Sequence, residues 1–390
     1  MPNDQISDLD ATSPDEPDQV VPDAPAEARP EGFRWRRWMS WVAATAVVVV
    51  LVVIVGSAVR LPYYTISPGS AVNLLGDVSE KKPRISVDGA KAYPTDDQIM
   101  LLFVRESARV NVWEWIQASV DPDIDLFKEA QFTGGLDPEE VRVESDADMA
   151  RSQLAAKKLA LEAAGYTVPV GEGVTVLAVS PSRPAADVLK QGDVLLQVDG
   201  KPLDQPDALS AAVKTHKAGD TVEVVLERDG KQQTVQVPTV AGDDGKPVIG
   251  VYVSGRYDFP IDVNVDTSNI GGPSAGLAMT LSIVDTLTPG DLSGGKRVAV
   301  TGTISEDGSV GEIGGISQKA TSAKAAGAEV FIVPACTRTD IKKECERDLA
   351  KAKQRAGDLQ VIPVATFDEA LKALKDIGGE PATVAPKVAA

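Results

Sequence analysis

The 390-residue chain contains one histidine, His216, and that scarcity excludes more chemistry than any residue present. A Ser-His-Asp triad would have to use His216 or not exist. A zinc peptidase helix of the His-Glu-x-x-His type needs two histidines, and the residues around this one read Lys-Thr-His-Lys-Ala. That class is excluded, and no metal site is expected. His216 stands near the end of a helical stretch, before Ala218-Gly219-Asp220, where it reads as a solvated helix-end residue. Cysteine is nearly as scarce. Cys336 and Cys345 lack a neighbouring histidine that would make either a thiol nucleophile; nine apart, they either close a short disulfide loop or stay unpaired buried thiols. Basic residues are outnumbered, 39 against 57 acids, for a net charge of −18, which argues against nucleic acid, since phosphates call for clustered Lys and Arg. No Gly-x-x-x-x-Gly-Lys-[Ser/Thr] loop occurs either. Gly294-Gly295-Lys296-Arg297 is a fragment without the hydroxyl that would hold magnesium, so neither ATP nor any other cofactor is expected.

Much of the negative charge is local. Residues 1–32 hold nine acids against Arg29 alone, with six prolines. Such a segment buries too little apolar surface to offset its ordering entropy, so residues 1–37 are expected to be a disordered acidic tail with a basic flank. From Trp38 to Val59 no charge interrupts 22 residues, enough to cross a hydrocarbon core of roughly 30 Å, and a transmembrane helix is expected over 38–60 in contact with the lipid bilayer. Arg34, Arg36 and Arg37 precede the run and only Arg60 closely follows it, which places the N-terminus in the cytoplasm and everything beyond outside the cell membrane. Trp35, Trp38 and Trp41 suit an interfacial belt. A cleaved signal peptide ending near Gly56-Ser57-Ala58 is the rival reading, and it too exports the rest of the chain.

Residues 61–165 mix short extended stretches, such as Gln98–Val104, with a helix expected from about Ala147 to Ala164, where Met149, Leu154, Ala155, Leu159 and Leu161 cluster and Gly165 stands at the cap position. From Gly173 to about Thr239 short β-branched runs alternate with turns, which predicts a small β-rich module with two helices. Its words Ser180-Pro-Ser-Arg-Pro-Ala-Ala-Asp187 and Gly192-Asp193-Val-Leu-Leu-Gln-Val-Asp199-Gly200 resemble a bacterial PDZ domain, assigned to 166–240. PDZ domains bind extended peptides by adding a strand to a sheet edge. On that resemblance Val170, Gly171, Glu172, Gly173 and Val174 form a loop that cradles a peptide carboxylate, although the charge of Glu172 opposes a C-terminus.

Residues 241–376 carry the chemistry. An extended stretch, Asp258–Val265, leads to Gly271-Gly272-Pro273-Ser274-Ala275-Gly276, after which Leu277, Leu281, Val284 and Leu287 repeat at helical spacing until Pro289-Gly290. Ser274 therefore begins a helix, where free N–H groups and the dipole favour an oxyanion; a helix start merely capped by serine is the bland alternative. Arg297–Ile304 reads as one strand, Glu306-Asp307-Gly308 as a turn, Val310–Ile313 as the return strand, and Gly314-Gly315 opens a helix to Ala326. These words, with Val330-Phe-Ile-Val-Pro334 after them, resemble in order and spacing the proteolytic domain of Lon-type proteases. That resemblance implies a Ser-Lys dyad of Ser274 and Lys319, with Thr301 positioning the lysine and Gly272 and Ala275 supporting the nucleophile. A lysine of ordinary pKa cannot act as a base near neutrality unless it is desolvated, and Ile316, Ala320, Ala323 and Ala326 offer a helix face that does so. The chain departs from the family in having Gly271 where many members have an acid.

The order of membrane helix, PDZ module and Lon-type domain resembles the membrane-anchored, PDZ-containing (YlbL-like) Lon proteases of Gram-positive bacteria. The expected fold class is accordingly α+β: an N-terminal transmembrane helix, a β-rich PDZ-like module and a Lon-type α/β proteolytic domain, with 61–165 an extracytoplasmic α/β segment that the resemblance assigns to the protease fold and 377–390 a loose tail. The expected activity is ATP-independent serine endopeptidase cleavage of exported or membrane proteins, with PDZ-assisted selection and a homo-oligomeric ring as the family's habit. A catalytically inactive PDZ-containing scaffold at the cell surface is the alternative.

Overall fold

The computed structural model describes residues 32–79, 82–93, 95–96, 98–242, 244–267 and 272–380, so the acidic tail, Gly271 and the last ten residues lie outside the described residues. The chain divides into two units, one ending at Gly56 and one running from Ser57. The first is dominated by helix α1 (Gly32–Ala58), whose stretch Trp38–Ala58 has 21 residues and a mean hydropathy of 2.6, long and apolar enough to cross a membrane by length and composition.

The second unit opens with β1 (Tyr63–Asn73), β2 (Gln98–Ala108), helix α2 (Val112–Val120), β3 (Asp125–Lys128) and helix α3 (Pro138–Ala163). Helix α3 starts nine residues before the expected Ala147. Asp137 caps it by accepting from the Glu139 amide at 2.9 Å, Pro138 fits the first turn, and Glu139 and Glu140 complement the dipole. Its buried face begins only at Ala147, so the earlier turns carry no apolar period to read.

A β-rich module follows: β4 (Val170–Val179), β5 (Val194–Val198), helix α4 (Pro206–Val213), β6 (Thr221–Arg228), β7 (Lys231–Pro238) and β8 (Val251–Tyr257). They form one antiparallel sheet in the order β7-β6-β5-β4-β8. Alternate residues Val222, Val224 and Leu226 face its core with Val174, Val176 and Leu195, the period of a half-buried sheet.

The remaining elements are helix α5 (Gly276–Leu287), β9 (Arg297–Val300), helix α6 (Ile316–Ala325), β10 (Val330–Pro334), helix α7 (Lys342–Ala356), β11 (Gln360–Val364) and helix α8 (Phe367–Asp376). The second sheet runs β11-β10-β9-β2-β1-β3, so strands from residues 63–128 hydrogen-bond into the same sheet as strands beyond residue 297. β9 is parallel to both β2 and β10, with Ala299 opposite Met100 and Phe331. Buried on both faces, these strands read as unbroken apolar runs. Val298, Val300, Val330 and Ile332 face one core with α3 and α5, while Ala299, Phe331 and Val333 face the other with Ile316, Ala320 and Ala352 of α6 and α7. Helix α5 is buried along its whole length, as an apolar helix must be.

Two strand expectations are corrected. Of the extended stretch 258–265 only Asp262–Val265 forms a strand, which pairs with Ile85–Asp88, while β8 ends before the stretch at Tyr257. The expected strand 297–304 leaves the sheet after Val300, and Thr303–Ile304 forms its own hairpin with Val310–Gly311, shorter than the expected return strand 310–313. Gly302 makes the break, with a φ of 144° that favours glycine.

Candidate active site

Helices α5 and α6 lie on opposite faces of the second sheet, and their N-terminal ends meet just past the C-terminal end of β9. Ser274 comes from the 3₁₀ turn Pro273–Ala275 that leads into α5. Lys319 closes the first turn of α6, its amide donating to the Gly315 carbonyl at 2.9 Å. Thr301 is the first residue after β9. Its amide still donates to Ile332 of β10, at 3.1 Å, while its hydroxyl is free of the sheet.

The break at Gly302 ties the serine turn down. The Gly302 amide donates to the Ser274 carbonyl at 3.0 Å, and the Leu277 amide donates to the Gly302 carbonyl at 3.0 Å. From the other side the Ser152 hydroxyl on α3 donates to the Pro273 carbonyl at 3.0 Å. Two segments distant in sequence thus hold one turn. Between them the Lys319 Nζ lies 2.7 Å from the Ser274 Oγ and 3.0 Å from the Thr301 Oγ1, donating to both as an ammonium. Once neutral, its lone pair can instead accept from the Ser274 hydroxyl over the same distance.

Electrostatics favour that neutral form. Lys319 is 2% exposed, and loss of hydration brings its pKa down to about 7, against the smaller opposing influence of the Glu106 carboxylate. Thr301 and Ala275 are buried, and Ser274 is half-buried. A cleft of about 820 Å³ opens beside the pair, reached by Gly272, Ser274, Lys319, Glu106 and Ile313. Glu106 is the residue that sequence reasoning missed. It lines the cleft near the end of β2, where partial loss of hydration raises its carboxyl despite Lys319 nearby. The signal was a charged pair, Arg105-Glu106, ending an apolar strand that no local pattern ties to Lys319.

Glu106 supports the protonated lysine. Glu106→Gln is therefore expected to move the acid limb of any Lys319-dependent activity to lower pH, so that about one unit below the wild-type midpoint the variant runs a few-fold faster. A pH-rate profile checks this, and a limb displaced to higher pH would refute the assignment.

The other expected site residues are placed as follows. Gly171, Glu172, Gly173 and Val174 are not an open cradle. They lie within β4, where Val174 pairs with Gly255 of β8 and with Leu195 of β5, and Val170 before them pairs with Tyr257 of β8. Gly173 is required by close approach, since a Cβ there would meet the Leu195 carbonyl oxygen at 2.7 Å. The module's groove, of about 410 Å³, lies instead between α4 and the edge strand β8, with Leu209 and Val213 on one wall and Ile249 and Tyr252 on the other. Glu140 and Glu144 of α3 reach it as well. The Ser182 hydroxyl donates to the Glu140 carboxylate at 3.1 Å, so the helix that braces Pro273 also touches this module. His216 accompanies the β-rich module, its Nε2 2.7 Å from the Asp199 carboxylate, and takes no part in lining the Ser274 cleft. Cys336 and Cys345 form a disulfide with Cα atoms 5.7 Å apart, which joins the chain after β10 to α7. Among the described residues no group of three or more His, Cys, Asp or Glu could hold a metal ion.

Two stretches of the chain match known domain families. Residues 141–239 match the PDZ domain family, and residues 256–375 match the Lon protease (S16) C-terminal proteolytic domain. Among curated proteins, the Lon protease of Chloroflexus aggregans is 30% identical over 175 residues, 40% of this chain and 20% of that protein. The Lon protease of Vibrio parahaemolyticus is 39% identical over 118 residues, 30% of this chain and 14% of that protein. The magnetosome formation protease MamE of Paramagnetospirillum magneticum is 43% identical over 93 residues, 24% of this chain and 12% of that protein. The chain thus spans a fifth or less of the length of these curated relatives. Among solved structures, the PDZ domain of an SdrC-like protein from Listeria monocytogenes is 28% identical, covering 22% of this chain and 90% of that domain with a TM-score of 0.21.

Proposed function

Since this chain carries a PDZ domain and a Lon-type C-terminal proteolytic domain, we propose that it is a serine endopeptidase whose nucleophile is Ser274 and whose general base is Lys319. The observation that carries the reading is the 2.7 Å approach of a buried lysine amine to a serine hydroxyl at the floor of an open cleft. Neutral Lys319 takes the Ser274 proton as the Oγ attacks the scissile carbonyl carbon. The oxyanion is held by the Ser274 and Ala275 amides, which at a helix start have no intrahelical acceptor. The lysine then returns the proton to the leaving amine. A water, deprotonated by the same lysine, resolves the acyl-enzyme and frees Ser274. Thr301 keeps the amine directed at the serine, and Gly272 leaves room for the substrate backbone.

The groove between α4 and β8 suits an extended peptide, because β8 is the edge strand of its sheet and can accept another strand. It is the substrate-selecting site in this reading, in place of the residue 170–174 segment. In this reading helix α1 anchors the chain in a bilayer through Trp38–Ala58, and Arg34, Arg36 and Arg37 before the span support a catalytic unit outside the cytoplasm. A disulfide that persists there is consistent with export. Substrates are then exported or membrane proteins, cleaved without ATP.

The full chain in vesicles, incubated with an unfolded protein and no nucleotide, is expected to release peptides. A substrate that binds yet stays intact would favour the inactive scaffold instead.

A further inference from the structure

Helix α2 is unusual for the little of it that is buried. Of its nine residues only Ala118 is buried, while Trp113 (39%), Trp115 (36%), Ile116 (43%) and Val120 (77%) are exposed. At 100° per residue, Trp113, Ile116 and Val120 fall on one stripe, opposite Ala118. An outward apolar stripe that carries a tryptophan, on a short helix whose second tryptophan, Trp115, packs edge-on against Tyr63, suits a segment lying at a membrane interface. Its single charged residue, Glu114, is already engaged: its carboxylate accepts from the Asn111 amide at 2.7 Å and pairs with Arg60 at 3.9 Å.

The position of the helix in the chain identifies the occupant. The apolar span ends at Ala58, and Arg60 forms a β-bridge with Asn111, the N-cap of α2. Next to it the Leu61 amide donates to the Val110 carbonyl at 2.9 Å. One residue, Val59, separates the span from this junction, so at most about 7 Å of chain lies between the Ala58 and Arg60 Cα atoms. If Trp38–Ala58 crosses a bilayer, α2 has no tether with which to leave its surface.

We propose that α2 docks on the bilayer, inserting Trp113, Ile116 and Val120 among the lipid headgroups and upper acyl chains, and so fixes the proteolytic unit against the membrane from which its substrates emerge. This rests on the reading of α1 as a membrane span, and the experiment separates the two. The full chain is reconstituted in phosphatidylcholine vesicles with or without brominated acyl chains, and tryptophan emission is read. Trp35→Phe, Trp38→Phe and Trp41→Phe together leave Trp113 and Trp115 as reporters of α2; Trp113→Phe with Trp115→Phe leaves the α1 tryptophans as reporters of the span.

Brominated lipid is expected to quench the α2 reporters by about a third or more, as for a helix buried some 5–10 Å into the interface. Adding Ile116→Asp and Val120→Asp is expected to abolish that quenching while the α1 reporters stay quenched. Quenching of the α1 reporters alone would overturn the docking of α2 and leave the span standing. Blue-shifted but unquenched α2 emission would assign the stripe to protein, such as a second copy of the chain, and overturn it equally. No quenching of either set would remove the span and the proposal with it.

Discussion

Ser274→Ala is expected to lower cleavage of an unfolded protein by about 10⁵- to 10⁶-fold, the scale seen when a nucleophile that works as a unit with its base is removed. The change should be invisible to folding. The turn at Ser274 is held through backbone atoms, its carbonyl by Gly302 and the preceding carbonyl by Ser152, and alanine keeps both. Equal thermal midpoints for wild type and variant, measured beside the cleavage rates, would separate lost chemistry from lost structure. A variant that retains activity within tenfold would remove Ser274 from the mechanism.

Lys319→Met is expected to cost about 10³- to 10⁴-fold in kcat, the upper range for a positioned base. Here too stability serves as the control. Burial of the amine disfavours its charge, so a methionine of similar shape removes a desolvation cost, and the thermal midpoint should hold or rise. Lys319→Arg should be as inactive as methionine, because a guanidinium stays charged and cannot accept the serine proton. The sign of the pH dependence follows from the same group. The base works only when neutral, so activity should be full above a midpoint near the lysine's value of about 7 and fall about tenfold per unit below it. A lysine with its ordinary pKa would instead place the rise far into the alkaline range.

That Ser274 and Lys319 come together was legible through the resemblance of their surrounding words to a Lon-type proteolytic domain, which implies the pair; the scarcity of histidine, with His216 held by Asp199 in the β-rich module, only narrows the choice of base. The buried strands β9 and β10 were legible for a simple reason as well, since strands covered on both faces read as apolar runs. What could not be read was long-range. The pairing of Ala299 with Met100, which brings residues 63–128 into the same sheet, joins segments some 200 residues apart, and no local period announces it. The position of Glu106 across from Lys319 follows from that pairing and was lost with it. The polar first turns of α3 were missed because their environment is solvent and a neighbouring module. The residue 170–174 segment was misread because glycine permits both an open loop and a close strand contact; Gly173 serves the second. The groove wall Ile249–Tyr252 was hidden in a stretch assigned to the proteolytic domain. The break at Thr301-Gly302 inside an apparent strand is the feature of most consequence, since it releases the threonine hydroxyl and anchors the serine turn.

The most direct measurement is the rate at which a serine-acylating probe modifies the full chain as a function of pH, with the site located by mass spectrometry. The account expects one adduct, on Ser274, forming with a midpoint near pH 7 and slowed by about 10³-fold in Lys319→Met. Labelling of Ser274 that ignores pH and survives Lys319→Met unchanged would contradict it.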